Sequence, residues 1–156
     1  MGCSMEEKDI CVRQDKAEAL FRQGFNCSQS VVAACADLYG IDSDLALRMG
    51  ASFGGGIGRM RLTCGAACGM FVLAGLHNGS TTPHDNEGKM KNYQTVQHLA
   101  DVFREENGSL VCAELLGLSE KNTSPRPEER TSVYYQKRPC VEMVRSAVRI
   151  YCENLL

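Results

Sequence analysis

Apolar residues recur along most of this chain at spacings of three and four, as in helices with one face turned inward. No stretch of four to eight residues alternates strictly or gathers β-branched residues in the manner of a half-buried strand. The pattern predicts an all-α fold, a compact helical bundle of about six to seven helices. A first helix is expected from about Asp15 to Gln23, with Ala17, Leu20 and Phe21 on one face and Gly24 ending it. Asn26 caps a second, whose Val31, Ala34, Cys35 and Leu38 share a face up to Gly40. Asp42 caps a third, running through Leu45, Leu47 and Met49 to about Phe53.

The pattern then breaks at Gly54-Gly55-Gly56-Ile57-Gly58, a run that neither a helix nor a strand holds in its interior, so a tight loop is expected. Thr63 reads as the cap of a fourth helix, Cys64 to about His77, whose small front (Gly65, Ala66, Ala67, Gly69) permits close approach of another backbone. A longer helix follows from about Asn86 to Glu106, with Tyr93, Val96, Leu99, Ala100 and Phe103 as its inward stripe. Ser109 is placed to cap a short helix through Cys112 to Gly117, and Ser119 to Arg130 reads as a surface loop. A final helix starts near Pro139 and runs to about Asn154, turning Val141, Val144, Val148 and Tyr151 inward. Residues 1–12 are expected to be a flexible N-terminus and residues 13–156 a single helical domain.

At 156 residues a core can hold the fold without disulfide or metal staples, so the nine cysteines call for another explanation. A formal charge of -2, with no basic run, gives no electrostatic reason to bind nucleic acid. The longest strongly apolar window, Met70 to Leu76, falls far short of the roughly 20 residues that span a bilayer, so no membrane insertion is expected. Met1 to Asp9 shows no secretory signal pattern, and a cytoplasmic location is expected. Met1-Gly2-Cys3 suggests an acylation start, but Glu6 stands where that motif takes Ser or Thr. The sequons at Asn26, Asn78, Asn107 and Asn122 would matter only in a secreted chain.

The cysteines sort by their place in the expected helices. Cys27, Cys64, Cys112 and Cys140 all fall in first turns, where unpaired amides and the positive dipole end favour a thiolate and lower its pKa. Cys35, Cys68 and Cys152 fall within helices, where Cys35 and Cys152 read as small packing hydrophobes. Cys3 and Cys11 read as exposed thiols near the terminus. Cys64 and Cys68 stand one helical turn apart on one face, a local candidate for disulfide exchange. A partner from another helix, such as Cys27 or Cys112, is an equal candidate, because a disulfide within one turn is geometrically demanding.

Gly24-Phe25-Asn26-Cys27-Ser28-Gln29-Ser30, then Phe53-Gly54-Gly55-Gly56-Ile57-Gly58, then Cys64-Gly65-Ala66-Ala67-Cys68-Gly69, and later Cys112 and Cys140, resemble the C_GCAxxG_C_C family over roughly residues 13 to 152. The resemblance implies a redox-active protein, a partner associated with a transporter, and Cys27, Cys64, Cys112 and Cys140 as the functional cysteines. Cys68 sits at a variable position of the box, so no role carries over to it.

Three chemistries compete for these thiols. Disulfide exchange needs a low-pKa cysteine beside a resolving one. An iron-sulfur cluster would take Cys27, Cys64, Cys112 and Cys140 as ligands, with the backbone at Gly54, Gly55, Gly56, Gly58 and Gly65 coming close to it. Zinc ranks below both, because the chain has no Cys-x-x-Cys pair. The glycine loop lacks both nucleotide-binding motifs, so a phosphate site has little support. Arg59 and Arg61 beside it are candidates to stabilise thiolates or bind a small anion, although flanking arginines are most often solvated. His77, His84 and His98 read as structural or surface residues, and no hydrolase motif is present. The leading expectation is a redox protein working through one four-cysteine site. The alternative is a non-catalytic metal-binding or scaffold module assisting a transporter or partner enzyme. A homodimer through an apolar helix face such as that of the terminal segment is also expected.

Overall fold

The computed structural model describes residues 6–120 and 122–156. Among the described residues there are eight α-helices and no β-strand: α1 (Glu7–Arg22), α2 (Cys27–Cys35), α3 (Ser43–Gly50), α4 (Gly65–Asn78), α5 (Asn86–Asn107), α6 (Cys112–Leu115), α7 (Ser132–Lys137) and α8 (Cys140–Leu155). Short 3-10 turns extend α2 to Tyr39 and α3 to Phe53.

The central element is α2, which carries no charged residue and is buried on almost every side from Ser28 to Cys35. A helix apolar all round can persist in water only when enclosed, and α1, α3, α4 and α8 enclose it. Its start is fixed by a reciprocal cap: Gln29 N–H donates to Asn26 Oδ1 at 2.9 Å, and Asn26 N–H donates to Gln29 Oε1 at 3.0 Å. The same two side chains hold α3 beside it, Asn26 Nδ2 donating to Ala51 O and Gln29 Nε2 to Leu47 O. Phe21 of α1, Val31 of α2, Met70 and Leu73 of α4, Leu99 and Phe103 of α5 and Val144, Val148 and Tyr151 of α8 make the core.

Glycines set how closely α4 can approach. A Cβ on Gly69 would sit 2.9 Å from Val31 Cβ and 3.0 Å from Ser28 O. One on Gly65 would sit 2.8 Å from Phe53 O and 3.4 Å from Cys27 Cβ. The small front of α4 is therefore the groove into which α2 and the end of α3 fit, and it brings the start of α4 against Cys27.

Several expectations are corrected. The first helix begins at Glu7, about two turns early, because Ile10 continues the stripe of Ala17 and Phe21 into the core; charged neighbours hide it in the sequence. Residues 6–12 are thus helical or capping, and residues 1–5, with Cys3, lie outside the described residues. Cys11 is exposed, as expected. Thr63 does not cap α4; Cys64 itself stands at that position. Ser109 does not cap α6 either: its hydroxyl accepts from Val111 N–H, and Val111 is the cap residue. Tyr93 is 61% exposed and does not belong to the inward stripe of α5, which rests on Leu99 and Phe103. α7 lies beyond the expected surface loop and was not legible as a helix. The inward apolar face of α8 packs against α1, α2, α4 and α5.

Close packing at Gly69 has a measurable consequence. Gly69→Ala should lower stability by about 1–3 kcal/mol through overpacking. Gly75→Ala in the same helix, where an added Cβ meets nothing within 4 Å, should raise it by about 0.5–1 kcal/mol. Opposite shifts of the thermal midpoint check this; equal shifts would show that helix propensity alone acts at both positions.

Candidate functional site

A cavity of about 370 Å³ opens where the starts of α2, α4, α6 and α8 meet. Cys27, Cys64, Cys112 and Cys140 all line it, as do Gly54, Gly55, Gly56, Gly58 and Gly65. Cys27, Cys112 and Cys140 are the first residues of α2, α6 and α8, and Cys64 is the residue just before α4. Cys68 is not part of this wall. It is buried, and its thiol donates to Thr63 O at 3.8 Å.

Local folding explains how distant segments meet. Gly55, Gly56, Ile57, Gly58 and Arg59 all have φ between 56° and 74°, and Arg61 follows at 61°. The chain thereby makes a left-handed turn, closed by bonds from the N–H groups of Arg59, Arg61 and Leu62 to the carbonyls of Gly54, Gly55 and Gly56. Three non-glycine residues in that region each carry roughly 1–2 kcal/mol of backbone strain. Glycine is required at Gly56 on a second count, since a Cβ there would lie 2.6 Å from Cys112 Cβ. Beyond the turn, Cys64 N–H donates to Leu110 O at 2.7 Å and Cys112 N–H to Leu62 O at 2.6 Å, around an isolated antiparallel bridge between Thr63 and Val111. This short pairing sets Cys64 beside Cys112. The packing of α2 and α8 sets Cys27 near Cys140, and each thiol acts on the ionisation of the other.

Charge around the cavity is strongly one-sided. Arg59, Arg61, Arg130 and Arg138 line it, against one carboxylate, Glu128. Arg138 pairs with Glu128 at 2.6 Å. Arg130 donates to Phe21 O and Phe25 O and lies 4.3 Å from the centre of the Phe21 ring, which fastens the loop before α7 to the end of α1. Arg59 bonds to the carbonyls of Ser124 and Arg126. Arg61, expected at the surface, is only 5% exposed; its guanidinium reaches Asn122 O at 3.3 Å and lies 3.8 Å from Cys112 Sγ, with no carboxylate partner among the described residues. A buried cation without a counter-anion is costly, so Arg61 makes the site one that favours negative charge.

The expectation that helix starts lower all four thiol pKa values is corrected. Burial pushes Cys64 up to about 12, with the amides of Ala67 and Ala66 opposing it only in part. Burial also raises Cys112, against the pull of Arg61. Cys27 rises through the neighbouring Cys140 thiol and burial, and of the four only Cys140 falls, favoured by the Cys27 thiol beside it and by the charges of Arg138, Arg130 and Arg61. In these enclosed positions desolvation outweighs the helix dipole, and a thiolate persists only where a thiol donor and guanidinium groups converge. Cys68, also buried, is raised to about 11.

The sequence of the family described as "Putative redox-active protein (C_GCAxxG_C_C)" matches residues 25–154. The chain belongs to the C_GCAxxG_C_C family. No curated protein and no solved structure matches the chain. The signature of the C_GCAxxG_C_C family acquires a physical meaning here: at its glycine after Cys64 a side chain would meet Phe53 O and Cys27 Cβ, and its four single cysteines are the four that share the cavity. Sequence reasoning missed Arg130, Arg138, Glu128 and Tyr134. Arg138, two residues before a cysteine at a helix start, was the available signal. Among the described residues no helix is long and apolar enough to cross a membrane. Among those residues, also, no three His, Cys, Asp or Glu side chains are arranged to hold a metal ion.

Replacing Arg61 by Met removes the cation beside Cys112, and the Cys112 thiol should rise further. Because alkylation requires the thiolate, its rate at Cys112 and fixed pH should fall several-fold, one pKa unit being tenfold in thiolate. Arg48→Met, at an exposed position away from the cavity, should leave that rate unchanged. Peptide-resolved labelling rates provide the check.

Proposed function

We propose that this member of a redox-active family performs thiol–disulfide exchange on a small anionic substrate, with Cys140 as attacking thiolate and Cys27 as resolving thiol. The observation that carries the reading is the convergence of four thiols and four arginines, with one carboxylate, on a single cavity of about 370 Å³. That volume suits a metabolite-sized molecule.

The exchange balances as follows. The Cys140 thiolate attacks one sulfur of a substrate disulfide; the substrate S–S bond breaks and its second sulfur leaves as a thiolate. Cys27 gives its proton to that leaving thiolate and attacks the Cys140 sulfur of the mixed disulfide. The remaining half of the substrate departs as a thiolate and takes a proton from solvent. Two electrons have then passed to the substrate, and Cys27 and Cys140 are joined; an external thiol restores them. Arg61, Arg130 and Arg138 stabilise both the attacking and the leaving negative charge. Cys64, with its pKa near 12, stays protonated at neutral pH and takes no nucleophilic part in this scheme.

The proposal is tested with disulfide reagents that differ only in charge. An anionic aromatic disulfide should react with the reduced protein at least tenfold faster than a cationic analogue. Cys27→Ser should trap the mixed disulfide on Cys140, visible by intact mass, and Cys140→Ser should abolish the reaction. Equal rates for both charges would remove the anionic substrate. Trapping on Cys64 or Cys112 instead would overturn the assigned roles. Stoichiometric iron in protein purified without oxygen, lost in single serine variants of all four cavity cysteines, would replace exchange by cluster binding. Neither exchange nor metal would leave the scaffold reading.

A further inference from the structure

Two further cysteines meet in a different part of the molecule. Cys35 ends α2 and Cys152 lies in the last turns of α8; they are 0% and 1% exposed. Both lie inside the main apolar core where α2 packs on α8, near enough that each thiol acts on the ionisation of the other. Neither lines the cavity. The same two helices thus carry a cysteine pair at each end: Cys27 with Cys140 at their starts, Cys35 with Cys152 towards their ends. The eight residue steps from Cys27 to Cys35 amount to roughly 12 Å of helix, too far for the pairs to exchange directly.

Packing alone explains each cysteine separately, as a small apolar side chain in a tight contact. It does not explain the polar setting the pair occupies. The guanidinium of Arg13 donates to Ala34 O at 2.9 Å and to Asp37 at 2.7 Å, next to Cys35 along the chain, and its charge acts on both sulfurs. The hydroxyls of Tyr39 and Tyr151 are bonded to each other, and Tyr39 is bonded to His77 Nδ1 at 3.1 Å. Asp37 and Glu153 are the carboxylates whose charge reaches the pair, acting on Cys35 and Cys152 respectively. Of the two, Cys152 carries the negative charge more readily, favoured by the neighbouring Cys35 thiol and by Arg13, whereas Cys35 is pushed up.

We infer that Cys35 and Cys152 are a second oxidisable dithiol, converted by a small peroxide into a disulfide that ties the end of α2 to the end of α8. The Cys152 thiolate attacks one oxygen of the peroxide; the O–O bond breaks, hydroxide leaves, and the sulfur becomes a sulfenic acid. The Cys35 sulfur then attacks the Cys152 sulfur, the S–O bond breaks, and water leaves with the Cys35 proton. The proton first released from Cys152 neutralises the hydroxide, so two thiols and one hydrogen peroxide give one disulfide and two waters. Hydrogen peroxide is small enough to enter where a bulky disulfide is excluded. This inference is independent of the chemistry proposed for the cavity.

The test is a peptide map of the full-length reduced protein after treatment with hydrogen peroxide, with remaining thiols alkylated under denaturing conditions. A Cys35–Cys152 linked peptide is expected, together with loss of both alkylated peptides and a thermal midpoint above that of the reduced protein. In the Cys27→Ser/Cys140→Ser variant the same linked peptide should form, which separates this pair from the cavity. Recovery of both Cys35 and Cys152 fully alkylated would overturn the inference. So would Cys152 recovered as sulfinic acid beside an alkylated Cys35. The linked peptide is read on the native pair, so no variant of Cys35 or Cys152 has to fold for the test to decide.

Discussion

A sulfur can hold negative charge in a protein interior only if donors and cations surround it, because desolvation otherwise returns the proton. The cavity obeys that constraint unevenly. Cys140 has the Cys27 thiol beside it and feels the charges of Arg138, Arg130 and Arg61, whereas Cys64 has only opposing amides and remains protonated. The difference between these cysteines therefore arises from neighbours that fold in from elsewhere. Those neighbours come from the left-handed turn, from the loop before α7 and from the approach to α8.

Much of the architecture serves to bring these groups together. Small residues on α4 let α2 lie so close that a side chain at Gly65 would meet Cys27. The strained run from Gly55 to Arg61 turns the chain so that Arg61 points inward and Cys64 emerges beside Cys112. Strain of this kind persists only where surrounding bonds over-determine the backbone, and here the pairing with residues 110–112 supplies them. Arg130 then closes the far wall by fastening its loop to the carbonyls at the end of α1.

The sequence made much of this visible and left specific parts hidden. Caps at Asn26 and Asp42 and the glycine run were read correctly, because each depends on local chemistry. The start of α1 was hidden because Ile10 stands alone among charged residues, and α7 because it is one short turn and a half without a stripe. Placing four cysteines at helix starts was a local inference: Cys27, Cys112 and Cys140 open their helices, and Cys64 stands just before α4. Their ionisation was not legible: the dipole argument ignores burial, and burial is tertiary. Arg61 likewise looked like a flanking surface residue, since only the folded turn encloses it.

The most direct measurement is a pH titration of thiolate absorbance in the reduced protein, compared with the same titration of Cys140→Ser and of Cys112→Ser. The Cys140 thiolate should ionise below the range of a free thiol in the native chain, its contribution being absent in Cys140→Ser and present in Cys112→Ser, while that of Cys152 is the same in all three. Ionisation of every cysteine at or above the free-thiol range, unchanged by either substitution, would contradict the account of the cavity.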